Sequence, residues 1–275
     1  MAFWGNSFIF NDIPCEDFEL MIYNIDNNTQ SAGKFASNVE AVEDQIPGRW
    51  KPFFYNTKMT GKLSFSIVFG VNQERIDEEK YLDRYELEAI ASWLTGHNKY
   101  HWLEVQQEDL EYARYKCIIT ELKQIEYGNL PWALQATVTC DSPYAYLYPQ
   151  VFEYTVTNEE TIQFFNESSH NGFYMPKIEF SVNSGNLSGG FSITNLSDDG
   201  RKTEFKGTTQ NPIPTSVTKV EVDNDTGIIT SNDGTNMYPY FNFKFLRLLR
   251  GNNSLKITGS GTLKIFCEFP INMGG

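Results

Sequence analysis

Apolar and polar positions alternate with a period of two along most of the chain, and the one clear exception lies between Ile76 and Val105. There Leu82, Tyr85, Ala89, Ile90, Trp93 and Leu94 recur at three-and-four spacing, which puts one apolar stripe on one helical face. The spacing predicts a helix over the first two thirds of this stretch. Asp77 is its expected N-cap, with Glu78 and Glu79 in the first turn, where carboxylates meet the positive end of the helix dipole; Gly96 is the expected stop. Beyond it, Tyr100, Trp102, Leu103, Glu104 and Val105 predict a strand.

Strands dominate the rest of the first half. Ser7 to Phe10 and Phe18 to Ile25 read as a first hairpin joined through Asn11-Asp12-Ile13-Pro14. Residues 26–50 are polar and poorly periodic, with a turn at Pro47-Gly48, and read as a long loop or an arm. From Lys62 to Phe69, Leu63, Phe65, Ile67 and Phe69 alternate with Lys62, Ser64, Ser66 and Val68, as a strand requires. Tyr115 to Tyr127 and Trp132 to Cys140 predict a second hairpin, broken by Gly128-Asn129-Leu130-Pro131. From Asp141 to Tyr146, with Pro143 and Pro149, the chain reads as an extended exit.

After Val151 the pattern changes to short strands at near-regular intervals, over 152–157, 161–166, 176–182, 190–196, 203–206, 219–222, 227–231, 243–248, 254–258 and 262–269. Turn residues such as Asp223-Asn224-Asp225-Thr226-Gly227 and Leu249-Arg250-Gly251-Asn252-Asn253 separate them. The expected fold is mainly β with one helix. Residues 1–150 form a β-sandwich or barrel-like domain carrying the single α-helix, and residues 151–275 form an antiparallel β-sandwich without a helix.

Composition narrows the function. With 40% hydrophobic and 15% aromatic residues the 275-residue chain can bury a sizeable core. A formal charge of −13 and a pI near 4.7 argue against nucleic acid as a bound partner, since phosphate affinity comes from Lys and Arg. Cys15, Cys117, Cys140 and Cys267 have no close pair, so a CxxC redox site and a zinc knuckle are excluded and buried thiols are expected. No signal peptide or membrane-spanning run is read, and synthesis in a reducing cytoplasm is expected, which makes triplets such as Asn27 with Thr29 accidental rather than glycosylated.

Candidate chemistry is thin. His97 and His101 are four apart, the spacing of two ligands on a helix, but they follow the stop at Gly96 and lack an adjacent glutamate. His170 has no Gly-x-Ser-x-Gly elbow to serve. Asp223, Asp225 and Gly227 begin like a calcium loop without its sixth-position Gly and twelfth-position Glu, and read better as a turn. The stripe with Trp93 reads as core rather than as a cofactor pocket, and there is no Gly-rich phosphate loop. No catalytic, cofactor-binding or metal site is therefore assigned, and an enzyme is not expected.

The order of elements resembles that of the distal tail proteins of long-tailed bacteriophages and related tail-derived particles. In the first half the resemblance rests on Phe8-Ile9-Phe10-Asn11 with Phe18-Glu19-Leu20, on the run from Tyr85 to Leu94, on Lys99-Tyr100-His101-Trp102-Leu103 and on the run from Thr137 to Ala145. In the second half it rests on Asn171-Gly172 with Met175-Pro176-Lys177-Ile178, on Val220-Glu221-Val222-Asp223 with Gly227-Ile228-Ile229, and on the run from Leu249 to Ile257. It implies a structural hub at the virion tail tip: a homo-hexameric ring of the first domain that joins the tail tube protein to the tip protein, with a galectin-like second domain outside. A receptor-binding protein or adhesin at the periphery, DNA passing the lumen without specific binding, no membrane insertion and no cofactor are implied as well.

Two other classes of function stay open on the residues alone. One is a carbohydrate-binding sandwich that contacts host-surface glycans; the other is an enzyme of unfamiliar type, which a bound metal would signal.

Overall fold

The computed structural model describes residues 3, 5–23, 38–72 and 81–273. The chain divides into two compact units, Met1–Leu147 with Asn272–Gly275, and Tyr148–Ile271.

The first unit contains β1 (Ser7–Phe10), β2 (Ile13–Pro14), β3 (Leu20–Ile22), β4 (Asn38–Asp44), β5 (Phe53–Thr60), β6 (Ser64–Val71), the helix α1 (Arg84–Thr95), β7 (His101–Gln106), β8 (Ala113–Tyr127), β9 (Leu130–Cys140) and β10 (Ala145–Leu147). Its main sheet runs β2-β1-β7-β8-β9-β6-β3. It does not close as a barrel: β1 and β3 share no ladder, and Ile22 N–H of β3 donates instead to the carbonyl of Asn6, the residue before β1, at 2.9 Å. The barrel-like expectation is corrected accordingly, while the mainly β fold with one α-helix among the described residues stands.

The expected first hairpin is replaced by a tighter one. Asn11 and Asp12 both adopt positive φ, 53° and 63°, and turn β1 directly into β2. A 3-10 turn over Cys15–Phe18 then carries the chain to β3, which pairs with β6, while the far edge of β1 pairs with β7. The hairpin β8–β9 forms as expected, on a turn in which Gly128 and Asn129 have φ of 61° and 66°. Gly70 lies where β6 crosses β9, and a Cβ there would stand 2.5 Å from the Trp132 carbonyl oxygen. The exit from this hairpin is not merely extended, because β10 pairs antiparallel with β8 through Tyr146–Arg114 and Leu147–Ala113.

The helix is shorter than the periodicity implied and starts later. Asp77, Glu78 and Glu79 lie outside the described residues, as do residues 24–25 of the expected second strand and residues 26–37 of the expected arm. The N-cap is Asp83, whose carboxylate accepts from Tyr85 N–H and Glu86 N–H while the Glu86 side chain accepts from Asp83 N–H, a reciprocal capping box. Gly96 does end the helix. Only part of the expected stripe faces inward. Ile90, Trp93 and Leu94 are buried; Leu82 is buried just before the helix; Tyr85, at 85% exposure, and Ala89 face solvent. Burial of the three helical side chains contributes about 1.5–3 kcal/mol each.

The second unit contains β11 (Gln150–Val156), β12 (Glu159–Asn166), β13 (Lys177–Ser181), β14 (Phe191–Asn195), β15 (Arg201–Phe205), β16 (Lys219–Asp223), β17 (Ile229–Ser231), β18 (Gly251–Thr258) and β19 (Gly261–Cys267). These form two antiparallel sheets, ordered β11-β19-β13-β16-β17 and β12-β18-β14-β15. Phe180 of the first sheet stacks on Phe191 of the second with centroids 4.3 Å apart, and Phe152 meets Phe164 edge-on at 5.0 Å, so aromatic rings fill the space between the sheets. The expected strand over 243–248 does not form. Side chains bond its backbone instead: Asn195 donates to the Arg247 carbonyl at 2.9 Å, Arg201 to the Phe245 carbonyl at 2.9 Å, and Asn224 accepts from Leu246 N–H at 2.8 Å.

Candidate functional site

The residues singled out for chemistry are drawn mostly into structural roles. Trp93 packs with its ring 4.6 Å from Phe18 and 5.7 Å from Phe8, both stacked, and its indole N–H donates to the Phe10 carbonyl at 3.1 Å. His97 and His101 do come together, ring centroids 4.2 Å apart, beneath the C-terminal end of α1. His97 Nε2 lies 2.6 Å from the Trp93 carbonyl oxygen, so that nitrogen is a donor tied to the last helical turn. His101 Nε2 is buried without a hydrogen-bond partner among the described residues, and its ring lies against Phe10. Burial, then the neighbouring His97 and Lys99, push His101 below the usual histidine range, against the opposing pull of Asp12. The pair packs against the helix end, held there by the bond from His97 to the Trp93 carbonyl.

His170 sits against Gly172, whose missing side chain leaves room for the imidazole. The Asp223 carboxylate accepts from Asp225 N–H and Thr226 N–H, both at 3.1 Å, and Gly227 follows at φ 74°, so these residues close the turn between β16 and β17. Among the described residues no cluster of three or more His, Cys, Asp or Glu is placed to hold a metal ion.

The thiols are buried in all cases. Cys117 and Cys140 stand directly opposite each other on β8 and β9. Burial raises Cys117 strongly and pushes Cys140 and Cys267 up to about 12.

Two surfaces remain that the core does not use. The outer face of β12-β18-β14-β15 carries a groove bordered by Ser192, Thr194, Lys202, Glu204, Lys256 and Thr258. Its polar side chains pair with one another, Lys202 with Glu204 at 2.6 Å and Lys256 with Glu159 at 2.8 Å. The aromatic residues that border it, Phe191 and Phe205, are themselves buried.

The second surface is the hairpin β4–β5, which the sequence left inside a loop and an unassigned stretch. Its strands pair only with each other among the described residues, from Asn38–Thr60 to Asp44–Phe53, with a bulge after Val42. It buries no side chain of its own, and it displays Val39, Ile46, Trp50, Phe53, Phe54 and Tyr55, with Trp50 93% exposed. The missed signal was the run Phe53-Phe54-Tyr55, rich in strand-forming aromatics directly after the turn at Pro47-Gly48. An inward-facing set never develops along it, because both faces of the hairpin are open.

Residues 3–142 match a family model described as the phage tail protein N-terminal domain. The chain belongs to this family of phage tail proteins. Residues 144–267 match a second model, described as the phage tail C-terminal domain. Among solved structures, the chain is similar to the Dit protein of phage SPP1, described as a paradigm of the hub adsorption apparatus in phages that infect Gram-positive bacteria. The TM-score is 0.67 at 11% identity, over 96% of this chain and 98% of that one. It is also similar to a chain of the phage P2 baseplate in its activated conformation, with a TM-score of 0.50 at 12% identity over 96% and 98% of the two chains. No curated protein matches the sequence. As a phage tail protein the chain is a component of the virion tail, and its fold is that of the SPP1 hub protein along nearly its whole length. The described residues contain no helix long and apolar enough to cross a membrane.

Proposed function

We propose that this phage tail protein is the hub at the distal end of the tail: a hexameric ring, built from residues 1–150, that joins the tail tube to the tip protein, with residues 151–275 outside the ring and available to an adhesin. The observation that carries the reading is the likeness to the SPP1 Dit fold across both units, 96% of the chain, rather than across one shared module. No catalytic step is assigned to it.

Charge shapes the proposed channel. Six copies carry 6 × −13 = −78 formal charges. A wall of Asp, Glu and neutral side chains repels DNA and lets it pass, whereas each lumen-facing Lys or Arg would add a salt-dependent phosphate contact. The reading is tested by electron microscopy of the purified protein and of the assembled tail. Six-fold rings of the first domain around an acidic or neutral lumen are expected; a basic lumen, or rings built from the second domain, would overturn it.

Glycan binding by the second unit is less well supported. Sugar sites stack their ligand on exposed rings, and the groove on β12-β18-β14-β15 offers only buried Phe191 and Phe205.

A further inference from the structure

We propose that Asn171-Gly172 is a self-modifying site, at which the Gly172 main-chain nitrogen attacks the Asn171 side chain and converts it to aspartate or isoaspartate, with His170 as the base. The proposal stands apart from the hub reading.

Of all the asparagines in the chain, only Asn171 is followed by glycine. That pairing favours ring closure, because no Cβ on the next residue obstructs the approach of its nitrogen to the side-chain amide carbon. The fold also leaves this asparagine untied. Asn166, Asn195, Asn224 and Asn253 are buried and hydrogen-bonded through their side chains, whereas Asn171 is exposed. Neither its amide nor the Gly172 N–H makes a hydrogen bond among the described residues. Asp233-Gly234, which the sequence alone opens to a similar ring closure, shows the contrast: Ser216, Ser231 and Thr235 all bond its carboxylate and hold it in a turn.

The loop holds the base in place. Ser169 N–H bonds to the Pro270 carbonyl at 2.8 Å and Tyr174 exchanges two main-chain bonds with Leu248, so both ends of the segment are fixed. Between them, a Cβ built on Gly172 would stand 2.4 Å from His170 Nε2, which sets that nitrogen against the Gly172 main chain, where a base must lie to take the amide proton.

The steps balance with water as the only co-reactant. His170 takes the proton from the Gly172 nitrogen, which forms a bond to Asn171 Cγ; the Cγ–Nδ2 bond breaks, and ammonia leaves with a proton returned from the imidazolium. The product is a five-membered succinimide. Water opens it at one carbonyl to give aspartate, or at the other to give isoaspartate, whose main chain is one CH2 longer. Either product gains a negative charge two residues from Phe173, over which the Arg247 guanidinium lies at 3.7 Å. Isoaspartate also lengthens a segment fixed at both ends. A released virion makes no new protein, so the change accumulates with age.

The test follows full-length protein incubated at neutral pH, with the peptide around residue 171 read by mass spectrometry and isoaspartate counted by enzymatic methylation. Loss of ammonia at Asn171 ahead of every other asparagine is expected, with isoaspartate among the products. His170→Gln is expected to slow it by on the order of tenfold or more while leaving thermal unfolding unchanged. In guanidinium the two chains are expected to react alike, which separates a base held by the fold from an effect of sequence. Native wild-type chain that stays intact at Asn171 for as long as the unfolded chain takes to react would overturn the site. An unchanged native rate in His170→Gln would overturn His170 as the base, and with it the proposal.

Discussion

The indole of Trp93 donates to the main-chain carbonyl of Phe10 at 3.1 Å, across 83 positions of sequence, and so fastens the only α-helix among the described residues to the first strand of the sheet. Trp93→Ala removes the ring from a stack with Phe8 and Phe18 and strands a buried carbonyl. A loss of about 3–5 kcal/mol is expected in denaturant unfolding. Trp93→Phe keeps most of the packing and forfeits the N–H, with a loss of about 1–2 kcal/mol. Equal stability of Trp93→Ala and wild type would show the helix to be detached.

That relationship also marks what the residues disclosed and what they did not. Ile90, Trp93 and Leu94 were legible as a buried stripe because apolar spacing reports directly on which face is covered. Tyr85 fits the apolar spacing yet stands 85% exposed in the first turn, directly after the N-cap at Asp83, where spacing alone does not report what covers it. In the second unit all but one expected strand formed; the exception, 243–248, lost its ladder to Asn195, Asn224 and Arg201, long-range side-chain partners invisible to local pattern. The hairpin β4–β5 was hidden for a related reason. Periodicity records an inside and an outside, and this element has no inside within one copy.

Acid should act on the second unit through Asp198. Arg247 grips its carboxylate with two bonds, at 2.7 and 2.9 Å, in a nearly buried position, and stacks over Phe173 at 3.7 Å. The guanidinium holds Asp198 below the usual carboxylate value of 3.8. A group depressed in the folded state stabilises fully above its unfolded value and loses that stabilisation as pH falls through its folded value. Asp198→Asn is therefore expected to cost about 2–4 kcal/mol near pH 7 and progressively less below pH 3.8. Denaturant unfolding of both proteins across that range measures it; a difference that does not shrink in acid would remove the pair from the explanation.

The thiols should be silent until the fold opens. Each of the four cysteines is buried, and burial raises each thiol, so the reactive thiolate is scarce at neutral pH. Treatment of native protein with iodoacetamide at pH 7.5 is expected to leave them unmodified by mass spectrometry, whereas all four react in guanidinium. Rapid labelling of Cys117 or Cys140 in native protein would show that β8 and β9 part readily, against the long ladder that joins them.

The second unit holds a complete interior of its own, and from this follows its independent folding. A column of rings runs from Phe180 through Phe191 and Phe205 to Phe241, with centroids 4.3, 4.9 and 4.7 Å apart, so that elements of both its sheets share one core. Buried amides tie its irregular segment down: Asn253 accepts from Leu249 N–H at 2.9 Å and donates to the Leu249 carbonyl at 2.7 Å, while Asn195 donates to Asn253 at 3.0 Å. These bonds and stacks lie wholly within residues 148–271. Expressed alone, that segment is expected to melt cooperatively and to keep a near-ultraviolet circular dichroism signal from its ordered rings. Phe205→Ala in the segment is expected to lower its stability by about 3–5 kcal/mol, since the ring is fully buried between two others. A segment with a β-type spectrum but no cooperative melt would mean that the column needs the rest of the chain to set, and would overturn the division of the protein near residue 150 into two folding units.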